Sequence, residues 1–175
     1  MKDLIRDIKL GISTGDYNVS IDTSKMASNH YFFFKKRKMI KDIFRVGAVL
    51  VGSRALKCYS INGNSLIDRK PNDWDFVITE NQFLQLCQEY KIYDFDRSKN
   101  KYYLNRSFVT LNSGYGDSYI FPCHIQLIIK DSLTPYFEKD GFRIATLENI
   151  LESKSDLSGD SKHRYDLNNI LVNLR

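Results

Sequence analysis

The sequence predicts an α+β fold, in which a sheet with helices is followed by a small helical tail. Segments with strand and helix periodicity alternate up to a glycine-rich loop at residues 112–117, and the last part of the chain has helical periodicity. A chain of 175 residues is long enough to bury a core and short enough to be one domain. We expect a single domain over residues 1–175, with its core at about 36–131 and the helical tail at about 144–175.

The first element of this core is a predicted helix that ends near Arg45. Its apolar residues recur at helical spacing: Phe34, Met39, Ile40, Ile43 and Phe44. Residues 35–38 read Lys-Lys-Arg-Lys. We interpret this basic run as the polar face of the helix, and a nucleic-acid or nuclear-targeting patch is the alternative.

An apolar run at residues 46–51 predicts a buried strand that ends at Gly52 and Ser53, before a possible helical turn at residues 54–59. The first N–H groups of a helix have no partner within it and lie at the positive end of its dipole, which favours an anion. Glycine lets the backbone approach that anion closely, and the serine hydroxyl offers another hydrogen bond. The Gly-Ser pair therefore predicts a phosphate site.

Asp73 and Asp75 stand at the head of the next predicted strand, after a loop at residues 61–71. Because side chains alternate across a strand, the two carboxylates project from one face and Trp74 projects from the other, where a core can take it. Such close carboxylates raise each other's pKa unless a cation lies between them, and Mg²⁺ prefers oxygen ligands of this kind. The pattern predicts a metal site.

Further downstream, we predict a helix at residues 82–90, strands at 102–111 and 118–129, and two tail helices, the first capped by Thr146.

Residues 49–56, Val-Leu-Val-Gly-Ser-Arg-Ala-Leu, and residues 72–78, Asn-Asp-Trp-Asp-Phe-Val-Ile, together resemble the signature of the nucleotidyltransferase superfamily typified by DNA polymerase beta. The two motifs look most like those of small single-domain members from phages, viruses and bacteria. The resemblance extends loosely over residues 40–174. It implies a short, twisted mixed sheet and the transfer of a nucleoside monophosphate from an NTP to an acceptor such as RNA, a protein or a small molecule.

This resemblance also implies site residues. Asp73 and Asp75 would bind Mg²⁺ or Mn²⁺ and, with Ser53, form the catalytic set, while Gly52, Ser53 and Arg54 would bind the phosphates. Active members carry a third carboxylate on a later strand, and the matching position here is Gln126. An amide oxygen can bind a metal, but it cannot act as a base at neutral pH. A second hypothesis follows, in which a catalytically silent fold binds a nucleotide, a nucleic acid or a protein.

The tail sequence, with Lys154 followed by Lys-His-Arg-Tyr-Asp-Leu at residues 162–167, is similar to that of small phage-type members. The resemblance implies that Lys154 and Lys162 contact the triphosphate. Asp166 is interpreted as a structural partner of a neighbouring cation. Arg69 and Lys70, just before Pro71, are interpreted as solvated loop charge, and contact with a triphosphate is the alternative.

The composition of the chain indicates which partners and which compartment to expect. The chain has 26 basic and 21 acidic residues, a net charge of +5, which suits a polyanionic acceptor such as RNA without requiring one. The cysteines have neither disulfide nor zinc spacing, and no apolar run approaches the length of a membrane span. We expect a cytoplasmic protein that uses an NTP and has no membrane contact. A plain nucleic-acid-binding domain that uses residues 35–38 is a third hypothesis, which predicts strong salt dependence and no need for a metal.

Overall fold

The computed structural model describes residues 6–8, 17–19, 31–71, 73–89, 103–104, 108–113, 116–121 and 125–174, with the backbone alone at 17–19, 31–37, 103–104, 108–113 and 116–121. The helices are α1 (Tyr31–Arg45), α2 (Gly52–Lys57), α3 (Glu80–Glu89), α4 (Leu147–Asp156) and α5 (Ser161–Asn173). The strands are β1 (Tyr17–Val19), β2 (Val49–Val51), β3 (Tyr59–Ile61), β4 (Asn64–Ser65), β5 (Trp74–Ile78), β6 (Tyr103–Leu104), β7 (Phe108–Ser113), β8 (Gly116–Phe121), β9 (Ile125–Ile129), β10 (Tyr136–Lys139) and β11 (Phe142–Ala145). The fold is α+β, as the sequence predicts.

Within these described residues, one mixed sheet has the strand order β10-β11-β2-β5-β9-β8-β7-β6, and a small sheet has the order β1-β3-β4. In the mixed sheet, β11 runs parallel to β2 and β5 runs parallel to β9, while β2 and β5 are antiparallel. The carboxyl end of β2 therefore lies at the same edge as the amino ends of β5 and β9. This edge carries the candidate site.

Aromatic side chains pack α1 onto the middle of the sheet. The ring of Phe44 meets the rings of Phe76 and Phe142 edge-on, with ring centroids 5.0 and 4.8 Å apart. Trp74 is buried on the same face and stacks near Phe76, as the alternation along β5 predicts. Because Asp75 lies between these two residues, its side chain must leave from the opposite face.

The predicted helices near Arg45, at residues 82–90 and after Thr146 are confirmed. Thr146 caps α4, because its hydroxyl accepts a hydrogen bond from the Asn149 N–H at 3.3 Å. None of the described helices is both long enough and apolar enough to cross a lipid bilayer.

Short strands are where the sequence predictions were wrong. The helix after β2 ends at Lys57, and Tyr59 begins β3 instead of ending that helix. The loop predicted at residues 61–71 includes β4, which pairs with β3 across a turn at Asn62 and Gly63 with positive φ angles of 49° and 77°. Two- and three-residue strands contain too few residues to show an alternating pattern.

The later strands also differ from the prediction. Residues 118–129, predicted as one strand region, are divided between β8 and β9, which are antiparallel neighbours. The sheet continues past residue 131 into the hairpin of β10 and β11, which turns at Asp140 and Gly141. Because β11 pairs with β2, the sheet beside the candidate site is completed by a segment close to the tail.

Candidate functional site

The turn from β2 into α2 is in direct contact with Asp75. Gly52 has a φ of +68°, and a Cβ atom added there would lie 2.7 Å from Asp75 Oδ2. The contact follows from the sheet register, in which Val51 is paired with Asp75. Only glycine satisfies both the backbone angle and the close approach of the carboxylate.

Asp73, Asp75 and Gln126 lie at the same edge of the sheet. Asp73 directly precedes β5, Asp75 lies within it, and Gln126 of β9 is the residue paired with Asp75. Paired residues of neighbouring strands project from the same face, so Gln126 stands beside Asp75 while Ile125 and Leu127 are buried on the other face. The sequence prediction that Gln126 occupies the place next to the Asp pair agrees with this register.

Asp75 is a partly buried carboxylate that has both negatively and positively charged neighbours. Burial raises its pKa to about 6, the negative charge of Asp73 acts in the same direction, and Lys162, Lys154 and Arg54 act in the opposite one. In the part of the chain that the structure describes, no hydrogen bond or ion pair engages the Asp75 carboxylate. A carboxylate in this position is stabilised by binding a cation.

The donor set fits a hard divalent ion. Two carboxylates and an amide oxygen are oxygen ligands of the kind that Mg²⁺ and Mn²⁺ accept, with water or phosphate oxygens completing the shell. Among the described residues there is no group of three or more His, Cys, Asp or Glu side chains that could hold a metal. The third protein donor would therefore be Gln126, whose oxygen is uncharged.

The Ser53 hydroxyl is hydrogen-bonded to three protein side chains. Ser53 Oγ accepts hydrogen bonds from Arg69 Nη2 at 2.6 Å and from Lys154 Nζ at 3.1 Å, and it donates to Asp166 Oδ2 at 3.5 Å. A hydroxyl accepts two hydrogen bonds and donates one, so a phosphate would have to replace one of these partners. The phosphate-binding and catalytic roles of Ser53 stay predictions.

Asp166 is the centre of this junction, which we define as Ser53, Arg69, Lys154 and Asp166. Arg69 binds both Asp166 oxygens, Nε to Oδ1 and Nη2 to Oδ2, each at 2.6 Å. Lys154 Nζ binds Oδ2 at 2.7 Å. Asp166 is 0% exposed and Lys154 2% exposed. Burial alone would raise the pKa of Asp166, but the hydrogen bonds from Arg69 and Lys154 hold it below the usual value.

These contacts decide two interpretations. Asp166 is the structural partner of neighbouring cations, as the sequence analysis holds. Arg69 is not solvated loop charge, because its guanidinium is paired with Asp166, and the buried ammonium of Lys154 is bound to Asp166 in the same way. The contact between Lys154 and a triphosphate stays a prediction, and it would compete with this ion pair. No local pattern indicated the pairing of Arg69 with Asp166, which are 97 residues apart.

Arg54 also contacts the protein where the resemblance implied a phosphate. Its Nη2 donates to the carbonyl of Pro71 at 2.6 Å and its Nε to the carbonyl of Asp73 at 3.1 Å. The guanidinium lies 4.4 Å from the centroid of the Trp74 ring. Arg54 thus holds the loop that leads into β5.

The roles of two other basic features, Lys162 and the run at residues 35–38, stay predictions. Lys162 is exposed at the start of α5, and its charge lowers the pKa of Asp75 against the effect of burial, so it remains available to an anion near the carboxylates. In the basic run, Lys38 pairs with Asp42 of the same helix at 2.6 Å, and the side chains of residues 35–37 lie outside the description.

Comparison with known proteins gives the following. The family described as "Domain of unknown function (DUF7277)" matches residues 48–127, less than half of the chain, from just before β2 to the middle of β9. Among solved structures, the chain is similar to "Crystal structure of JHP933 from Helicobacter pylori", with 18% identity and a TM-score of 0.37 over 73% of this chain. It spans 57% of that relative's length. None of the curated proteins matches it.

Proposed function

We propose that this protein is a metal-dependent nucleotidyltransferase, which transfers a nucleoside monophosphate from an NTP to an acceptor. The observation that carries the proposal is the meeting of Gly52, Asp75 and Gln126 at one edge of the sheet, with Asp73 next to them. This arrangement places oxygen ligands beside a glycine turn. The motif resemblance at residues 49–56 and 72–78, which includes Gly52, Asp73 and Asp75, also supports the proposal.

The side chains would divide the work as follows. Asp73 and Asp75, with the amide oxygen of Gln126, hold Mg²⁺ or Mn²⁺. The metal supplies positive charge against the triphosphate and the departing pyrophosphate. Gly52 allows the polyphosphate to approach the backbone, and Lys162 offers an exposed ammonium on the same side.

In the reaction itself, an oxygen of the acceptor forms a bond to the α-phosphorus, and the bond from that phosphorus to the bridging oxygen breaks. Pyrophosphate leaves with the bonding electron pair. The proton of an acceptor hydroxyl passes to solvent, because Gln126 has no basic atom. Rate enhancement then depends on positioning and on metal electrostatics, and we expect a slow enzyme.

The second candidate is a catalytically silent nucleotidyltransferase fold that binds a nucleotide, a nucleic acid or a protein. The observation that favours it is Gln126 in the place of a third carboxylate. Such a protein would bind an NTP with a divalent metal and would not release pyrophosphate.

The test is incubation of the protein with each labelled NTP, Mg²⁺ or Mn²⁺, and total RNA. Asp73→Ala/Asp75→Ala is the test variant, and Asp68→Ala is the matched control, because Asp68 is exposed in the same loop. Transfer that is lost only in the double variant establishes the enzyme. Metal-dependent NTP binding without transfer favours the silent fold, and the absence of both leaves nucleic-acid binding through residues 35–38 to be tested.

A further inference from the structure

The loop between β4 and β5 is held by cationic side chains along most of its length. Lys57 Nζ donates to the carbonyl of Ile67 at 2.7 Å. Arg54 holds the loop's last part through the carbonyls of Pro71 and Asp73. Between these points, Arg69 makes a different kind of contact, since it leaves the loop and reaches the tail.

The contact of Arg69 with the tail has the geometry of a clamp. Its guanidinium binds both oxygens of a fully buried carboxylate, Asp166 of α5, and the same Nη2 atom also binds Ser53 at the start of α2. A bidentate arginine–carboxylate pair fixes orientation as well as distance. Three separate parts of the chain therefore meet at one side chain.

The clamp lies close to the proposed metal ligands. Arg69 is four residues before Asp73. The hydrogen bond to Asp166 and the charge of Asp166 raise the pKa of Arg69, and the negative charge of Asp73 adds a smaller effect in the same direction. Ser53 directly follows Gly52, the residue in contact with Asp75. Arg69 thus lies in the loop that leads to Asp73 and is hydrogen-bonded to the turn that contacts Asp75.

We infer that Arg69 is a positioning residue, which fixes the loop before Asp73 to α5 and to the Gly52–Ser53 turn and so sets Asp73 relative to Asp75. The inference rests on the proposed function, since it assigns Arg69 a part in forming the metal site. It also explains why a guanidinium stands here, because a lysine ammonium can supply the charge but not the planar, two-point contact.

The experiment uses the full chain with Arg69→Gln, which removes charge and clamp, and Arg69→Lys, which keeps the charge. Lys70→Gln is the matched control, because Lys70 is the next residue and its side chain is exposed. The probe is Mn²⁺ titrated in the presence of each of the four NTPs, with the free ion measured by electron paramagnetic resonance. Far-UV circular dichroism confirms that each variant is folded, and Arg69→Lys carries the test if Arg69→Gln does not fold.

We expect both Arg69 variants to weaken Mn²⁺ binding by about tenfold or more, the usual effect of removing a partner that orients metal ligands, and Lys70→Gln to leave it unchanged. If Arg69→Gln and Arg69→Lys weaken Mn²⁺ binding equally, the two-point contact of Arg69 with Asp166, and not its charge alone, is what supports the metal site. Binding that Arg69→Lys retains in full overturns the inference in favour of a simple charge effect, and so does binding that a folded Arg69→Gln retains.

Amide hydrogen exchange measured without metal separates this inference from the proposed function. We expect the amides of residues 66–70 and of the start of α5 to exchange faster in Arg69→Gln than in Lys70→Gln. If the wild-type chain binds no Mn²⁺ but this difference is present, the proposed function fails and the positioning role is supported. If the wild-type chain binds Mn²⁺ and neither exchange nor affinity changes in the variants, the positioning role fails and the proposed function stands.

Discussion

Asp75 and Asp166 both lie next to the Gly52–Ser53 turn, but the two carboxylates differ in the hydrogen bonds that they receive. Asp166 is fully buried and receives hydrogen bonds from Arg69 and Lys154. Asp75 touches Gly52 and, within the described residues, accepts no hydrogen bond. The protein thus neutralises one carboxylate with its own cations and leaves the other in a field that an external cation would complete. Asp166 is thus compensated within the protein, and the proposed function assigns a metal ion to Asp75.

The largest predicted effect concerns Asp166, the carboxylate that is paired with cations of the protein. Asp166→Asn leaves Lys154 buried without a countercharge, so we expect a loss of about 3–5 kcal/mol in the free energy of unfolding. Urea denaturation at pH 7 measures it. The control is Asp131→Asn, an exposed aspartate that should change stability by less than about 0.5 kcal/mol. A loss for Asp166→Asn as small as that of the control would contradict the clamp.

A pair of glycines tests the contact at Asp75. Gly52 and Gly63 have similar positive φ angles, but an added Cβ meets Asp75 Oδ2 at 2.7 Å in the first and nothing within 4 Å in the second. Gly63→Ala should cost about 1–2 kcal/mol from backbone strain alone. Gly52→Ala should cost about 1–3 kcal/mol more, because the carboxylate must move. Equal losses in thermal or urea unfolding would show that Asp75 does not press against the turn.

The environment of Asp75 could be predicted from the sequence to a greater extent than that of Asp166. The Asp75 side could be predicted, because a strand that ends in Gly-Ser, a strand that begins with Asp-x-Asp and the alternation around Gln126 are local patterns. The Asp166 side was predicted only as an interaction with some neighbouring cation. The identity of its partner depends on a loop and a helix that meet only after folding, and no periodicity connects Arg69 with residue 166.

The same reason applies to the fold. The helices of ten or more residues were predicted, because each carries its own periodic signal. The hairpin of β10 and β11 was not, since its strands have four residues each and much of the hairpin is exposed. Its place beside β2 depends on long-range pairing, which the sequence does not display.

The third prediction concerns pH and Asp75. A carboxylate whose pKa is raised from 3.8 to about 6 on folding stabilises the folded state fully at low pH, and that contribution is lost as pH rises through about 6. Asp75→Asn cannot ionise, so between pH 4 and 8 its stability should rise relative to the wild type by about 1–3 kcal/mol. Denaturation curves in the absence of metal measure this.

Mg²⁺ provides the control for that measurement. If Asp75 binds the ion, saturating Mg²⁺ should stabilise the wild type at pH 8 and narrow the gap to Asp75→Asn, because a ligand that binds only the folded state stabilises it. A stability difference that is independent of pH would contradict the raised pKa of Asp75, whatever the metal does.

The smallest predicted effect on stability separates the two tail lysines. Lys154 is buried in the junction, whereas Lys162 is exposed and acts on Asp75 only through its charge. Lys162→Gln should therefore change the free energy of unfolding by less than about 0.5 kcal/mol. It should nevertheless raise the pKa of Asp75 further, because one of the positive charges that favour the ionised carboxylate is gone. Carboxyl-carbon nuclear magnetic resonance detects that shift, and Lys130→Gln, an exposed lysine on another loop, is the control. Strong destabilisation by Lys162→Gln with no change in the pKa of Asp75 would contradict this prediction. Lys162 would then stabilise the fold, as Lys154 does, and another cation would have to serve the proposed metal site.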